Sequence, residues 1–518
     1  MHSPAWLKDA VFYNIYPQSF YDTNGDGIGD LNGITQKLDF IREMGYTAVW
    51  MNPIFDSPFR DAGYDVRDFY KIAPRYGTNE DFETLCREAH ARGIRVVLDL
   101  VAGHTSLDCA WFEESAKPEH NRYSDRYVWT DSVWVKGKQG EYISGYSDRD
   151  GCYLTNFFYC QPALNYGYAV VEEPWQHAVD SPAAQDTREE LMNIMRFWSR
   201  LGADGFRVDM AESLIKNDPD GTAIRAFWRG IRKEFAAEFP DSTLIAEWAF
   251  PKNAIRAGFD MDFFLHSYMP AYTTLFRYEK GRNQHNNWIG DSYFSREGKG
   301  HLREFLDTYL DHYAAAKTYG GYACLPTGNH DMPRLAYRRT LPELLVTHAF
   351  LLTMPGVPFV YYGDEIGMPY NADLPSKEGG FNRTGSRTPM QWESGKNCGF
   401  STSDTPYLPT DTAPDTPTVA AQWNDPASLL QHTRTLIRLR RENPALWADT
   451  DFEVLYDNYP FVYKRTNGTQ TVMVALNPAD RPCTVTVPKA ARVLYAKGAD
   501  VDGETLKMDG TSFIVYEI

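Results

Sequence analysis

Short apolar runs alternate with amphipathic stretches from the start of the chain. Residues 11–16, 48–51 and 94–100 are each largely apolar and bounded by turn residues, the pattern of strands buried in a parallel sheet. Between the second and third, Thr78-Asn79-Glu80-Asp81 is a helix-start signature. Phe82, Leu85, Cys86 and Ala89 then fall on one helical face, and Gly93 marks the stop. That is a βαβ unit. The alternation resumes with a capping box predicted at 187–190 and the stripe Leu191, Ile194, Met195, Trp198 and Leu201. A strand at 205–208, a helix near 224–235 and a strand at 243–246 follow. Repeated β-then-α order predicts an α/β architecture, either a (β/α)8 barrel or a doubly wound sheet.

Two segments break the alternation. From 104 to 186 the chain carries Trp111, Trp129, Trp134, Tyr153, Phe157, Phe158, Tyr159 and Trp175 among Gly/Asp turns, without helical periodicity. A structureless connection that long is improbable in a compact protein, so this is expected to be a small inserted domain on a βα connection. After a last helix, started by Asp425-Pro426, striped by Leu429, Leu430, Leu436 and Ile437 and stopped before Asn443-Pro444, the period changes to two. Residues 462–466, Asn467-Gly468 and 469–476 form a hairpin signal, and 483–487 and 513–516 alternate likewise, which predicts a C-terminal antiparallel β domain.

Composition narrows the function. The 518 residues are 43% hydrophobic and 14% aromatic, enough for a large core. The net charge of -17, with no dense run of Lys or Arg, argues against a nucleic acid or an anionic membrane as partner. The N-terminal residues lack the pattern of a signal peptide, and the most apolar stretch, 349–362, is interrupted by Pro355, Gly356 and Pro358 and is too short to span a bilayer. Seven scattered cysteines, without a CxxC pair, fit reduced thiols in a cytoplasmic protein rather than a zinc site or a disulfide frame.

Three acids stand at or just after predicted strand ends: Asp209 in GFRVDM, Glu247 in LIAEW and Asp331 in PTGNHD. In a barrel this puts them at the C-terminal mouth, where reactive groups collect. Two carboxyls about 5 to 5.5 Å apart hydrolyse a glycosidic bond with retention, one attacking the anomeric carbon and the other protonating the leaving oxygen. A single strand-end acid is more often a helix cap or a barrel ion pair. Three of them, with Arg207 two residues before Asp209 on the same strand face and His330 beside Asp331, point to a site. Separately, Asp22, Asn24, Asp26 and Asp30 in DTNGDGIGD place oxygen donors at alternate positions round tight Gly turns, with the Ile28 carbonyl as a further donor, which suits a hard cation. Gly33 stands where an EF-hand needs Glu; a metal-free loop of Asx turns is the other reading.

These motifs together resemble glycoside hydrolase family 13, the α-amylase superfamily, over essentially the whole chain: DLVAGH (Asp99, His104), GFRVD (Arg207, Asp209), AEW (Glu247) and GNHD (His330, Asp331). The resemblance implies a (β/α)8 barrel over 1–103 and 187–444, an inserted domain after the third strand over 104–186, and a β-sandwich over 445–518. It implies Asp209 as nucleophile, Glu247 as general acid/base and Asp331 as the acid that binds sugar hydroxyls. His104 and His330 would hold hydroxyls of the glucose in subsite −1, Arg207 would orient the nucleophile, and Asp99 would be architectural. Gly103 stands where the family carries Asn. GYDV, with Tyr64 and Asp65, is similar to the segment whose Tyr stacks on that sugar. QPALN (161–165) and GSRTPMQW (385–392) resemble signatures of the oligo-1,6-glucosidase, α-glucosidase and trehalose synthase branch. There, Arg387 would pair with Asp65 and close the cleft into a pocket, and the Asp22–Asp30 loop would hold structural Ca2+ or Mg2+.

The expected protein is therefore a cytoplasmic, monomeric retaining exo-acting α-glucosidase with a small α-glucoside as its substrate and partner. A transglucosidase or trehalose-synthase-like isomerase shares its first chemical step. An endo-acting α-amylase would need an open cleft. Oligo-1,6-glucosidases carry Val after the nucleophile, where this chain has Met210. A non-catalytic transporter subunit of this fold would lack the acids and carry a membrane anchor, and the sequence shows the acids and no anchor.

Overall fold

A computed structural model describes residues 3–265, 269–277, 291–380 and 382–518. Eight parallel strands close on themselves in chain order: β1 (Phe12–Ile15), β2 (Ala48–Met51), β3 (Arg95–Leu100), β4 (Gly205–Val208), β5 (Thr243–Ala246), β6 (Met261–Phe263), β7 (Tyr322–Pro326) and β8 (Pro358–Tyr361), which returns to β1. Closure decides for the barrel over the doubly wound sheet.

Alternation inside fully buried strands sorts the side chains. Phe12, Ala48, Trp50, Val97, Ile245, Met261, Phe263, Cys324 and Phe359 form one buried cluster that fills the barrel, with Phe12 and Phe359 stacked at 4.3 Å. Their neighbours Tyr13, Val49, Val96, Leu98, Phe206, Leu244, Leu325 and Val360 pack outward against the helices. Asp99 and Arg207 sit opposite each other in the β3–β4 register.

Local chemistry explains the helices that support this barrel. Helix α1 (Asn79–Ala91) begins at Thr78 with the expected reciprocal capping box, closed by Asp81. Helix α2 (Pro182–Arg200) begins earlier than 187: Ser181 caps it by accepting from the Ala184 amide, Pro182 opens the first turn, and the Thr187 hydroxyl, already inside the helix, donates to the Ala183 carbonyl. The capping box at 187–190 is thus a mid-helix coincidence. Helix α3 (Thr222–Glu238) follows β4, and α4 (Arg303–Tyr319) precedes β7. Helix α5 (Leu341–Thr353) precedes β8, and α6 (Leu429–Glu442) starts at a Ser428 cap rather than at Asp425-Pro426.

The segment between β3 and α2 holds a short helix (Ala110–Ser115), which no periodicity in its sequence announces, and a small antiparallel pair, Tyr142–Ser144 with Cys152–Leu154. Part of its aromatic set forms its interior, where Phe112 stacks on Trp129 and meets Tyr127 and Tyr153 edge-on, while Trp134, Phe157 and Tyr159 are exposed. The segment also docks on the loop after β4, where the Lys216 amide donates to Gly167 and the Ala169 amide to Lys216.

After α6 come β9 (Asp451–Asp457), β10 (Phe461–Thr466), β11 (Thr471–Asn477), β12 (Cys483–Thr486), β13 (Arg492–Asp502) and β14 (Thr505–Glu517), all in one six-stranded antiparallel sheet. The expected sandwich is a single sheet in its hydrogen bonding. One face (Phe461, Tyr463, Val474, Phe513, Val515) joins the barrel core, and the other (Val462, Met473, Leu506, Ile514, Tyr516) is covered by Cys483, Val485, Ala496 and Val501 of the same sheet. The β10–β11 turn is four residues long, since Thr466 pairs with Thr471. The Asn467 side chain organises it by accepting from the Thr469 and Gln470 amides. Every cysteine is free. Among the described residues no helix is long and apolar enough to cross a membrane.

Candidate active site

The barrel brings the predicted acids to one mouth. The Asp209 amide donates to Leu100 and the Glu247 amide to Val208, so each acid sits one residue beyond its strand, still tied to the neighbouring one. Arg207, buried on β4, holds the constellation together. Its Nη1 donates to Asp99 at 2.8 Å and to Asp209 at 3.0 Å, and its Nη2 meets Glu247 at 2.8 Å. Burial, then the Glu247 carboxyl, pushes Asp209 well above the usual carboxylate range against the pull of Arg207. Arg207 thus gathers the two carboxyls into a dyad at one guanidinium, one on each of its terminal nitrogens. Behind it, burial raises Asp99 to about 6 even with Arg207 beside it.

Asp331 lies across the mouth, in the loop after β7, with 32% of its side chain open against 18% for Glu247 and 9% for Asp209. Its Oδ1 accepts from Arg383 at 2.8 Å and Arg387 at 3.0 Å, and its Oδ2 stands 3.2 Å from His330 Nε2. Against the desolvation of its site, His330 and the two guanidiniums hold Asp331 far below the ordinary carboxylate range, so it stays an anion. The Asn52 amide points its nitrogen at His330 Nδ1 (3.0 Å) and at the Tyr64 hydroxyl (3.2 Å), which leaves His330 Nε2 to carry the proton toward Asp331. Tyr64 stacks on His330 at 5.4 Å and 11°, and its hydroxyl donates to Asp99. A flat aromatic wall thus stands beside the acids. His104 spends both ring nitrogens on protein: Nε2 faces the Tyr64 carbonyl at 3.1 Å and Nδ1 faces the Asn156 amide at 3.2 Å. Burial lowers its pKa to about 3.

One expected pair does not form. Asp65 folds back to accept from the Arg60 and Asp61 amides and the Ser57 hydroxyl, because the turn through Phe59, Ala62 and Gly63 runs at positive φ and directs Asp61 to the mouth instead. Asp61 pairs with Arg383 at 2.7 Å and is braced by Gln161 at 2.9 Å. Arg387 is buried and donates to Asp331 and to the His330 carbonyl. The bridge is therefore Asp61–Arg383–Asp331, with Arg387 as a second clamp on Asp331. Asp61 and Arg383 stand just ahead of the GYDV and GSRTPMQW motifs, so each stretch of chain offers two candidates of the same charge, Asp61 or Asp65 and Arg383 or Arg387. Asn52 carries no signal beyond its position after β2.

In the 22–30 loop, Asp22 accepts from the Asn24, Gly25 and Gly27 amides and the Ser401 hydroxyl. Asn24, Asp26 and Asp30 each accept from the amide two or three residues ahead, and Asp30 also from Thr23. Nested Asx turns of this kind form with or without a cation. Among the described residues no three His, Cys, Asp or Glu side chains gather closely enough to hold a metal.

An eight-stranded α/β barrel whose mouth gathers two carboxyls on one buried guanidinium, a third fixed anion and an aromatic wall is the arrangement of a glycoside hydrolase. The family described as alpha amylase, catalytic domain, matches residues 14–449, and the chain belongs to it. The chain is 32% identical to the oligo-1,6-glucosidase of Heyndrickxia coagulans, covering 93% of this chain and 94% of that protein. It is 34% identical to the trehalose synthase/amylase TreS of Mycobacterium tuberculosis H37Rv over 85% of this chain and 76% of that one. Among solved structures, a sucrose complex of an isomaltulose synthase mutant from Erwinia rhapontici NX5 superposes with a TM-score of 0.82 at 27% identity, covering 99% of both chains.

Proposed function

We propose that the protein is a retaining, exo-acting α-glucosidase that removes terminal glucose from short α-glucosides. The observation that carries the exo reading is the Asp61–Arg383–Asp331 bridge standing beside the dyad. On this reading the bridge offers charge-assisted donors and acceptors to the 4-hydroxyl side of a non-reducing glucose and closes that end of the site to a longer chain. In the first step Asp209 attacks the anomeric carbon while Glu247 protonates the leaving oxygen. Arg207 offsets the charge that remains on the acids. In the second, Glu247 takes a proton from water, which opens the glucosyl ester. Two inversions give retention, so NMR during hydrolysis of maltose is expected to show α-glucose first. Initial release of the β-anomer would sink this mechanism.

The same glucosyl ester can pass to a sugar hydroxyl in place of water. The names of the relatives, trehalose synthase and isomaltulose synthase, favour keeping this transglucosidase reading alongside hydrolysis. Product analysis on maltose, isomaltose, trehalose and sucrose separates the two: free glucose marks hydrolysis, and an isomeric disaccharide marks transfer.

The loop of Asp22, Asn24, Asp26, Asp30 and the Ile28 carbonyl is, on its all-oxygen donor set, our candidate for a structural Ca2+ or Mg2+. Because binding there would act by native-state linkage, chelation is expected to lower the Tm while leaving kcat within about twofold; an unchanged Tm removes the metal from the account. Seven free thiols support a reducing compartment such as the cytoplasm.

A further inference from the structure

Gly103 leaves a gap beside His104, and a side chain from the inserted segment fills it. A Cβ built on Gly103 would lie 2.6 Å from the Asn156 amide nitrogen, closer than packed atoms come, and a tight 3.3 Å from the Ser213 hydroxyl. Asn156 is held there from three sides. Its Oδ1 accepts from Lys216 Nζ at 3.2 Å. Its Nδ2 donates to Ser213 Oγ at 3.3 Å and faces His104 Nδ1 at 3.2 Å. Lys216, in the loop after β4 that carries Asp209, is itself fixed by the Ser213 carbonyl at 2.5 Å.

We propose that Asn156 is a positioning residue that sets the tautomer of His104, and through it the seat of the Tyr64 ring, under the direction of Lys216. An ammonium only donates, so the Asn156 oxygen must face Lys216 and its NH2 must face His104. His104 Nδ1 is then an acceptor, and the ring proton sits on Nε2, where it donates to the Tyr64 carbonyl at 3.1 Å. Tyr64 is thereby gripped at both ends, by His104 at its carbonyl and by Asp99 and Asn52 at its hydroxyl. The inserted segment, the nucleophile loop and the aromatic wall form one relay, possible only because residue 103 has no side chain.

This role rests on Tyr64 being the sugar-facing ring of the proposed function, so the experiment reads the relay both with and without turnover. In 15N-histidine NMR, His104, assigned by its loss in His104→Gln, is expected as the Nε2–H tautomer. Asn156→Asp, which keeps the shape but offers Nδ1 an acceptor, is expected to move the proton to Nδ1. In kinetics, Asn156→Ala is expected to raise KM for a glucoside about tenfold with kcat within about threefold, the mark of a lost ground-state contact. Gly103→Ala should cost similarly in the native background and nothing further in Asn156→Ala, because the added methyl then meets no amide. An unchanged His104 tautomer in Asn156→Asp, or additive costs for Gly103→Ala and Asn156→Ala, would overturn the relay. Its NMR signature could equally hold in a protein with no glucosidase activity, which would overturn the function and leave the relay standing.

Discussion

Replacing Asp209 by Asn is expected to lower kcat by at least about 10⁴-fold, roughly 5.4 kcal/mol of transition-state stabilisation at 1.36 kcal/mol per tenfold. The physical reason is that an amide cannot form the glycosyl ester, and no other carboxylate can replace it. Glu247 is engaged by Arg207 Nη2, Asp99 is pinned by Arg207, Tyr64 and Trp50, and Asp331 is held by Arg383 and Arg387. Glu247→Gln is expected to be about as slow on maltose yet to keep part of its activity on an aryl glucoside, whose phenolate leaves without a proton. Near-normal turnover by Asp209→Asn, measured on a preparation of native Tm, would falsify the assignment. The Tm control matters because removing one partner of a buried ionic cluster leaves Arg207 short of a counter-charge.

The second large effect is expected at Arg383. Truncation to Ala removes the donor that bridges Asp61 and Asp331, each a charge-assisted bond of good length. If those two acids bind hydroxyls of a terminal glucose, kcat/KM should fall by about 10²-fold, near 3 kcal/mol, with KM raised and kcat lowered together, since the lost contact both binds and orients the sugar. Arg387→Ala leaves the Asp61–Arg383–Asp331 bridge in place, acts through Asp331 and the His330 carbonyl, and should be milder in KM. Product order gives the sharper reading. The native enzyme should release glucose first from maltotriose and longer chains, and Arg383→Ala should begin to release maltose as the blocked end opens. Maltose or maltotriose appearing first from the native enzyme would show an open cleft and turn the assignment toward an amylase.

Much of this site is legible in the amino-acid sequence. Strand-end position and residue type are enough to single out Asp209, Glu247 and Asp331, because a parallel barrel turns every strand end toward one mouth whatever the loops do. Capping chemistry locates α1 correctly at Thr78, where a reciprocal side-chain pair exists, and misleads at 187–190, where the same letters fall inside a helix already started by Ser181 and Pro182. The choice between Asp61 and Asp65, and between Arg383 and Arg387, is not legible. All four are buried, the members of each pair lie four residues apart, and only the left-handed turn at Ala62 and Gly63 decides which carboxylate looks outward.

By itself the sequence determined what depends on local period and on element order: the alternating α/β body, the interruption after its third strand, the antiparallel end and the three acids at strand ends, with the barrel implied by the motifs' resemblance and its closure seen in the structure. Tertiary structure alone decided what depends on the direction of a side chain across hundreds of residues. Asp61 finds Arg383 at a separation of 322 positions, Asn52 finds His330 at 278, and Asn156 fills the space left at Gly103. Such contacts leave no periodic trace, because a hydrogen bond is set by the last two or three torsions of each partner and by which neighbours have already claimed their donors.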